Sequence, residues 1–235
     1  MAEMTQPAPA VRPSVPPCSS PAVAVSLHLP PSLCSRLLPL WQEGLWLRVA
    51  TPGRSIAAIL RRQLGVAPEY LERRLQTIFL NGKPVDDVEQ TLVAPGDCLA
   101  LSAAMPGLVG ATFRKKGLIA SFRAGITLRQ TSSPWTSGPC WMRLKLFNLL
   151  AQELGPGLLA RGVWLAKKDF YLFLQRQGED FWSCGRVFLD GRNLSAADLP
   201  ALPWAASAEL IYLQVHPEVD RAADQDNSGE GTRHV

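Results

Sequence analysis

Three histidines, five cysteines and one short run of carboxylates are the residues of this 235-residue chain that could carry chemistry. His28, His216 and His234 could each act as a general base, which requires a nucleophile or an acidic proton within hydrogen-bond reach. None of them shares a recognisable motif with a serine or cysteine, so they read as strand and terminus histidines. Cys18, Cys34, Cys98, Cys140 and Cys184 form no Cys-x-x-Cys pair, and no histidine stands at zinc-ligand spacing from them. Incidental thiols, no metal site and no cofactor are the expectation. Asp86, Asp87 and Glu89 resemble a carboxylate cluster, but they follow the Asn81-Gly82 pair and read as a solvated loop. Gly53, Gly65 and Gly82 lack dinucleotide or phosphate-loop spacing. No catalytic residue is assigned, and a protein that is not an enzyme is expected.

One stretch has a stronger electrostatic character. From Leu99 through Gln152 there is no acid, against seven bases. Arg114, Lys115, Lys116, Arg123 and Arg129 are the candidate partner-binding group, interleaved with Phe113 and Phe122. Bases neutralise phosphates and aromatic rings stack on nucleobases, so nucleic-acid binding is one reading of this connector. A solvated basic hairpin turning at Lys116-Gly117 is the preferred one, because the net charge of the whole chain is only +4.

The composition sets the frame for these residues. Hydrophobic residues are 47% of the chain and charged residues 19%, enough for a packed core. No apolar run approaches the roughly 18 residues of a membrane span. The start, Met1-Ala2-Glu3-Met4, has no charged-then-apolar signal pattern, so a cytoplasmic location is expected. Residues 1–21 hold six prolines and residues 217–235 five acids against two arginines; both segments are expected to be disordered. Between them lie a first unit at 22–112, the basic connector with its linker at 113–139, and a second unit at 140–216.

The two units repeat each other. Thr77-Ile78-Phe79-Leu80-Asn81-Gly82-Lys83 answers Arg186-Val187-Phe188-Leu189-Asp190-Gly191-Arg192, each a strand ending in a tight-turn pair. Gly44-Leu45-Trp46-Leu47 answers Gly162-Val163-Trp164-Leu165. Val25 to Leu29 is matched with Arg143 to Phe147, and Asp97 to Leu101 with Glu209 to Leu213. Between the second and third strands, Ser55 is placed to cap a helix carrying Ile56, Ile59, Leu60 and Leu64 on one face. A second short helix is expected from Pro68 to Leu75. Asp169 is placed to cap a helix from Phe170 to Gln177. The fold class is therefore α+β, each unit a small mixed sheet with one main helix. Trp46, Trp164, Phe79 and Phe188 alternate with leucines, so both sheet faces are apolar and one helix covers only one of them. The other face must meet the second repeat, the connector, a second copy in a homodimer, or a protein partner.

This order resembles the ubiquitin-like β-grasp, and most closely the sulfur carriers of molybdopterin and thiamine synthesis. The matching residues are Phe79 to Val85, Ala94-Pro95-Gly96-Asp97 and Leu99-Ala100-Leu101, with Arg143 to Leu150 and Phe188 to Arg192 in the second unit. The resemblance implies two β-grasp units in tandem. A carrier works through a free C-terminal diglycine, whereas here Gly107 and Gly110 are a family-like tail remnant inside the chain and Val235 is last. The expected function is a non-catalytic tandem binding or adaptor protein with a protein partner. A sulfur carrier or a subunit of molybdopterin or thiamine cofactor synthesis is the alternative, and nucleic-acid binding through the connector is the third.

Overall fold

Alternating short segments rich in leucine, valine and aromatics pair into a sheet, because successive side chains of a strand face opposite sides. The computed structural model describes residues 23–50, 53–103, 138–204 and 209–218. Its strands are β1 (Val23–Leu29), β2 (Leu45–Val49), β3 (Thr77–Leu80), β4 (Lys83–Pro84) and β5 (Cys98–Ser102). They continue with β6 (Cys140–Phe147), β7 (Val163–Ala166), β8 (Arg186–Leu189), β9 (Arg192–Leu194) and β10 (Leu210–Pro217). Among the described residues all ten join one mixed sheet in the order β4-β3-β5-β6-β2-β7-β10-β1-β8-β9. The α+β class expected from the sequence is present.

The expectation of a separate sheet in each unit gives way here. β1, from the first unit, lies between β10 and β8 of the second, and β6, from the second, lies between β5 and β2 of the first. The reason is that each of these strands finds a parallel partner across the repeat boundary: β1 pairs with β10, and β6 with β5. Two short helical segments, Pro31–Leu37 and Leu38–Glu43, carry the chain from β1 to β2. Leu149–Glu153 and Gly155–Arg161 carry it from β6 to β7.

The capping expectations divide. Ser55 accepts a hydrogen bond from the Ala58 amide, as expected, and opens a helix from Ile56 that continues in a wider turn through Gln63. The Pro68–Arg73 helix follows with proline at its start. Asp169, by contrast, is not a cap. The helix Lys167–Gln175 begins directly from Ala166, because the Lys167 amide already bonds the Glu209 carbonyl, and Asp169 falls within its first turn. Phe170, Phe173 and Leu174 of that helix are buried, as its spacing predicts. They join one continuous core with Leu27, Leu144 and Leu213 from the same sheet face. No helix among the described residues is long and apolar enough to cross a membrane.

Candidate functional site

The pairing registers reveal a relation between the two halves of the sheet that the sequence matches only partly anticipate. Trp46 of β2 pairs directly with Trp164 of β7 at the centre. Moving outward on one side, Trp46 pairs with Arg143, and Arg143 with Cys98; on the other, Trp164 pairs with Tyr212, and Tyr212 with Ala24. Leu99 then pairs with Leu80, and Val25 with Leu189. Both sides run antiparallel, parallel, antiparallel, antiparallel from the centre. The tight turns coincide as well: Asn81 and Asp190 both have positive φ, followed by Gly82 and Gly191 at 76° and 79°.

Each turn is tied to its neighbouring strand in the same way. The Asn81 amide bonds the Cys98 carbonyl, and the Cys98 amide returns to the Asn81 side-chain oxygen at 2.9 Å. The Asp190 amide bonds the Ala24 carbonyl, and the Ala24 amide returns to the Asp190 carboxylate at 2.9 Å. β5 therefore corresponds in space to β1, and β6 to β10. The sequence paired them otherwise, Val25 to Leu29 with the start of β6 and Asp97 to Leu101 with β10. The expected match of Gly82 with Gly191 and of Trp46 with Trp164 holds.

Corresponding positions can then be compared for chemistry, and they part company at one end. On the sheet face that alternates with the leucine core, the first half carries Thr77, Ser102 and Phe147. The corresponding positions in the second half are Arg186, His28 and His216. Thr77 and Ser102 are buried. His28 instead is about a third exposed and lies 3.4 Å through Nδ1 from a carboxylate oxygen of Glu218. Arg186 donates to the same carboxylate oxygen. The His28 ring stands 4.9 Å from His216 and edge-on to Phe188 at 5.1 Å, centroid to centroid. The Glu218 amide bonds the Leu29 carbonyl, which fixes the carboxylate beside its partners. A cavity of about 270 Å³ adjoins the cluster, bounded by Ser26, Phe188, Tyr212 and Gln214.

This arrangement offers donors and acceptors side by side on an aromatic wall. Isolated in the sequence, His28 and His216 gave no signal beyond their alternation with leucine and valine; only the parallel register of β1 on β10 places them together. Arg186 and Glu218 were likewise missed, since 32 positions separate them.

The other sequence candidates fall as follows. Asp87 accepts from the Glu89 and Gln90 amides at 3.0 Å each and Glu89 pairs with Arg61, so the carboxylate run is a turn, as expected. Burial pushes the thiols of Cys34 and Cys98 up, and burial followed by Asp97 pushes Cys140 to about 11. These three are protonated at neutral pH. No group of three or more metal-ligating side chains comes together among the described residues. Arg114, Lys115, Lys116, Arg123 and Arg129, with Gly107 and Gly110, lie outside the described residues, as do Cys18 and His234.

A second feature sits in the helical layer. Between the Pro31–Glu43 and Leu149–Arg161 segments, above the end of β10, is a cavity of about 510 Å³ walled mainly by apolar side chains. Leu37, Trp41, Leu159 and Val215 form its buried floor. No protein-family model, curated protein or solved structure matches the chain.

Proposed function

We propose that the protein is a non-catalytic binding or adaptor module, two β-grasp units of the sulfur-carrier kind that exchange β1 and β6 and join at β2 and β7 into one sheet. The observation that supports this best is the divergence between corresponding positions of the two half-sheets. One end keeps Thr77, Ser102 and Phe147, while the other carries Arg186, His28 and His216 around Glu218. A duplicated scaffold in which one copy has exchanged closed packing for half-exposed polar groups and an aromatic ring offers a recognition surface. The partner this reading favours is a protein, with the rings of His28 and Phe188 as the apolar contact and Arg186 and Glu218 at the rim.

The test uses the full chain as bait, alongside the double variant His28→Ala, Arg186→Glu. A partner retained by the natural chain and lost by a folded double variant is the expected result. Retention by both would move the surface elsewhere and overturn the assignment. A parallel incubation with a carrier-activating enzyme, ATP and a sulfur donor should leave the intact mass unchanged. Replacement of a carboxylate oxygen by sulfur would instead restore the carrier mechanism.

A further inference from the structure

The 510 Å³ cavity in the helical layer is independent of the polar cluster and of the partner-binding reading. Its size lies within the range of small-molecule sites, roughly 300–1,000 Å³. Its floor is buried: Leu37, Trp41, Leu159 and Val215 are each 7% exposed or less. Its rim is exposed and polar or small, with Ser35, Gln152, Gly157 and Ala160. Among the described residues no charged side chain lines it.

Gly157 gives the second, separate observation. It lies inside the Gly155–Arg161 helix, where glycine is a poor helix former. A Cβ built on Gly157 meets nothing within 4 Å, so nothing in the packing requires glycine there. Two residues earlier the situation reverses: a Cβ on Gly155 would stand 2.7 Å from the indole nitrogen of Trp41, so that glycine is needed for close packing. One helix thus spends a glycine on contact and another on open space at the cavity rim. Cys34 completes the wall with a neutral thiol that donates to the Pro30 carbonyl.

The geometry points to a binding site for a neutral, largely apolar small molecule. A hydrocarbon chain or flat ring system fills the floor against Trp41, and at most one uncharged polar group meets Gln152 or Ser35 at the rim. Carboxylates and phosphates are poor ligands, because none of the described residues lining the cavity is a cation and burying an unpaired charge is costly.

The test is a fluorescence titration of the full chain with N-phenyl-1-naphthylamine, a neutral apolar probe, followed by competition. Saturable one-site binding is expected, with dodecanol displacing the probe and dodecanoate displacing it far less. Gly157→Leu should weaken probe binding at least tenfold while the unfolding midpoint is unchanged or higher, since leucine is the better helix former. Ala160→Leu, also at the rim, serves if the first variant folds poorly. Absence of saturable binding to the natural chain, or equal binding by both folded variants, overturns the site. Stronger competition by dodecanoate overturns the ligand class. A dimer that Gly157→Leu dissociates, without probe uptake, would give the cavity to a second copy and likewise overturn the proposal. Loss of partner capture at the His28 cluster leaves these outcomes untouched.

Discussion

The two half-sheets correspond residue by residue, yet they solve the same local problems with different chemistry. Gly44 and Gly162 both precede the central strands and both have strongly positive φ, at 101° and 94°. The corresponding neighbours of these glycines are Arg143 and Tyr212, which pair with Trp46 and Trp164 two residues further on. On the first side the long side chains of Arg143 and Lys145 bend past Gly44, and the Arg143 guanidinium lies 5.6 Å over the Trp46 ring. On the second side the Tyr212 ring lies against Gly162 itself, and its hydroxyl donates to the Arg161 carbonyl at 2.8 Å. A Cβ on Gly162 would stand 2.1 Å from that oxygen; on Gly44 the nearest atom is a flexible lysine carbon at 3.0 Å. A shared backbone therefore tolerates substitution unequally, according to what the side chain opposite can do.

The largest difference should come from the central tryptophans. Trp46 is 5% exposed, so Trp46→Ala should cost about 3–5 kcal/mol in a denaturant-unfolding measurement. Trp164, only partly buried among Trp141 and Tyr212, should cost visibly less. Equal losses would mean that the centre is symmetric in energy as well as in register.

The glycine pair is expected to come next. Gly162→Ala combines left-handed backbone strain with overlap on Tyr212 and should destabilise by about 3 kcal/mol. Gly44→Ala carries mainly the strain, about 1–2 kcal/mol. Tyr212→Ala removes the whole ring, whose Cζ would stand 2.2 Å from the new Cβ and would survive in phenylalanine, so in that background the cost of Gly162→Ala should fall. An unchanged cost would assign the penalty to φ alone.

At the turns the expected gap is smaller. Asn81 bonds both the Asp97 carboxylate at 2.8 Å and the Cys98 amide, whereas Asp190 holds only the Ala24 amide among the described side-chain bonds. Asn81→Ala should cost about 2 kcal/mol and Asp190→Ala about 1 kcal/mol, both including the loss of a residue suited to positive φ. Reversal of that order would show that the exposed turn, not the half-buried one, carries the register.

The smallest effect concerns Asp198, which has a short helical turn to itself in the second half. It accepts from the Ser195 amide at 2.8 Å and from the Ser195 hydroxyl at 2.7 Å, and these bonds hold its carboxyl below the ordinary aspartate value of 3.8. A depressed value in the folded state stabilises the fold above the ordinary value, and that contribution is lost as pH falls through the depressed one. Carbon-detected NMR titration should place its midpoint below 3.8, and Asp198→Asn should remove this slight acid sensitivity. A midpoint at or above the ordinary value would break the assignment.

Much of this was legible without coordinates, and the parts that were not share a cause. The turn pairs Asn81-Gly82 and Asp190-Gly191, the Ser55 cap and the inward face of Phe170, Phe173 and Leu174 depend on residues within a few positions of one another. Local sterics and periodicity suffice for them. Asp169 was misjudged as a cap because a tertiary bond, Lys167 to Glu209, starts the helix three residues before the capping pattern suggests. His28, His216, Arg186 and Glu218 are far apart in the chain and meet only through strand pairing.

What the amino-acid sequence determined by itself was therefore which segments become strands, where they turn and which side of each is apolar. Alternation and the steric freedom of glycine act within a strand or a turn, whatever lies next to it. Tertiary structure alone decided that β1 lies beside β10 and β6 beside β5, and with that which polar side chains meet. Several strands here present the same alternating leucine- or valine-rich face, so the local pattern fits any of them to a parallel neighbour. The choice falls to interactions summed over the whole sheet: the register of each pair, the helical segments that must span from β1 to β2 and from β6 to β7, and the burial of one continuous core.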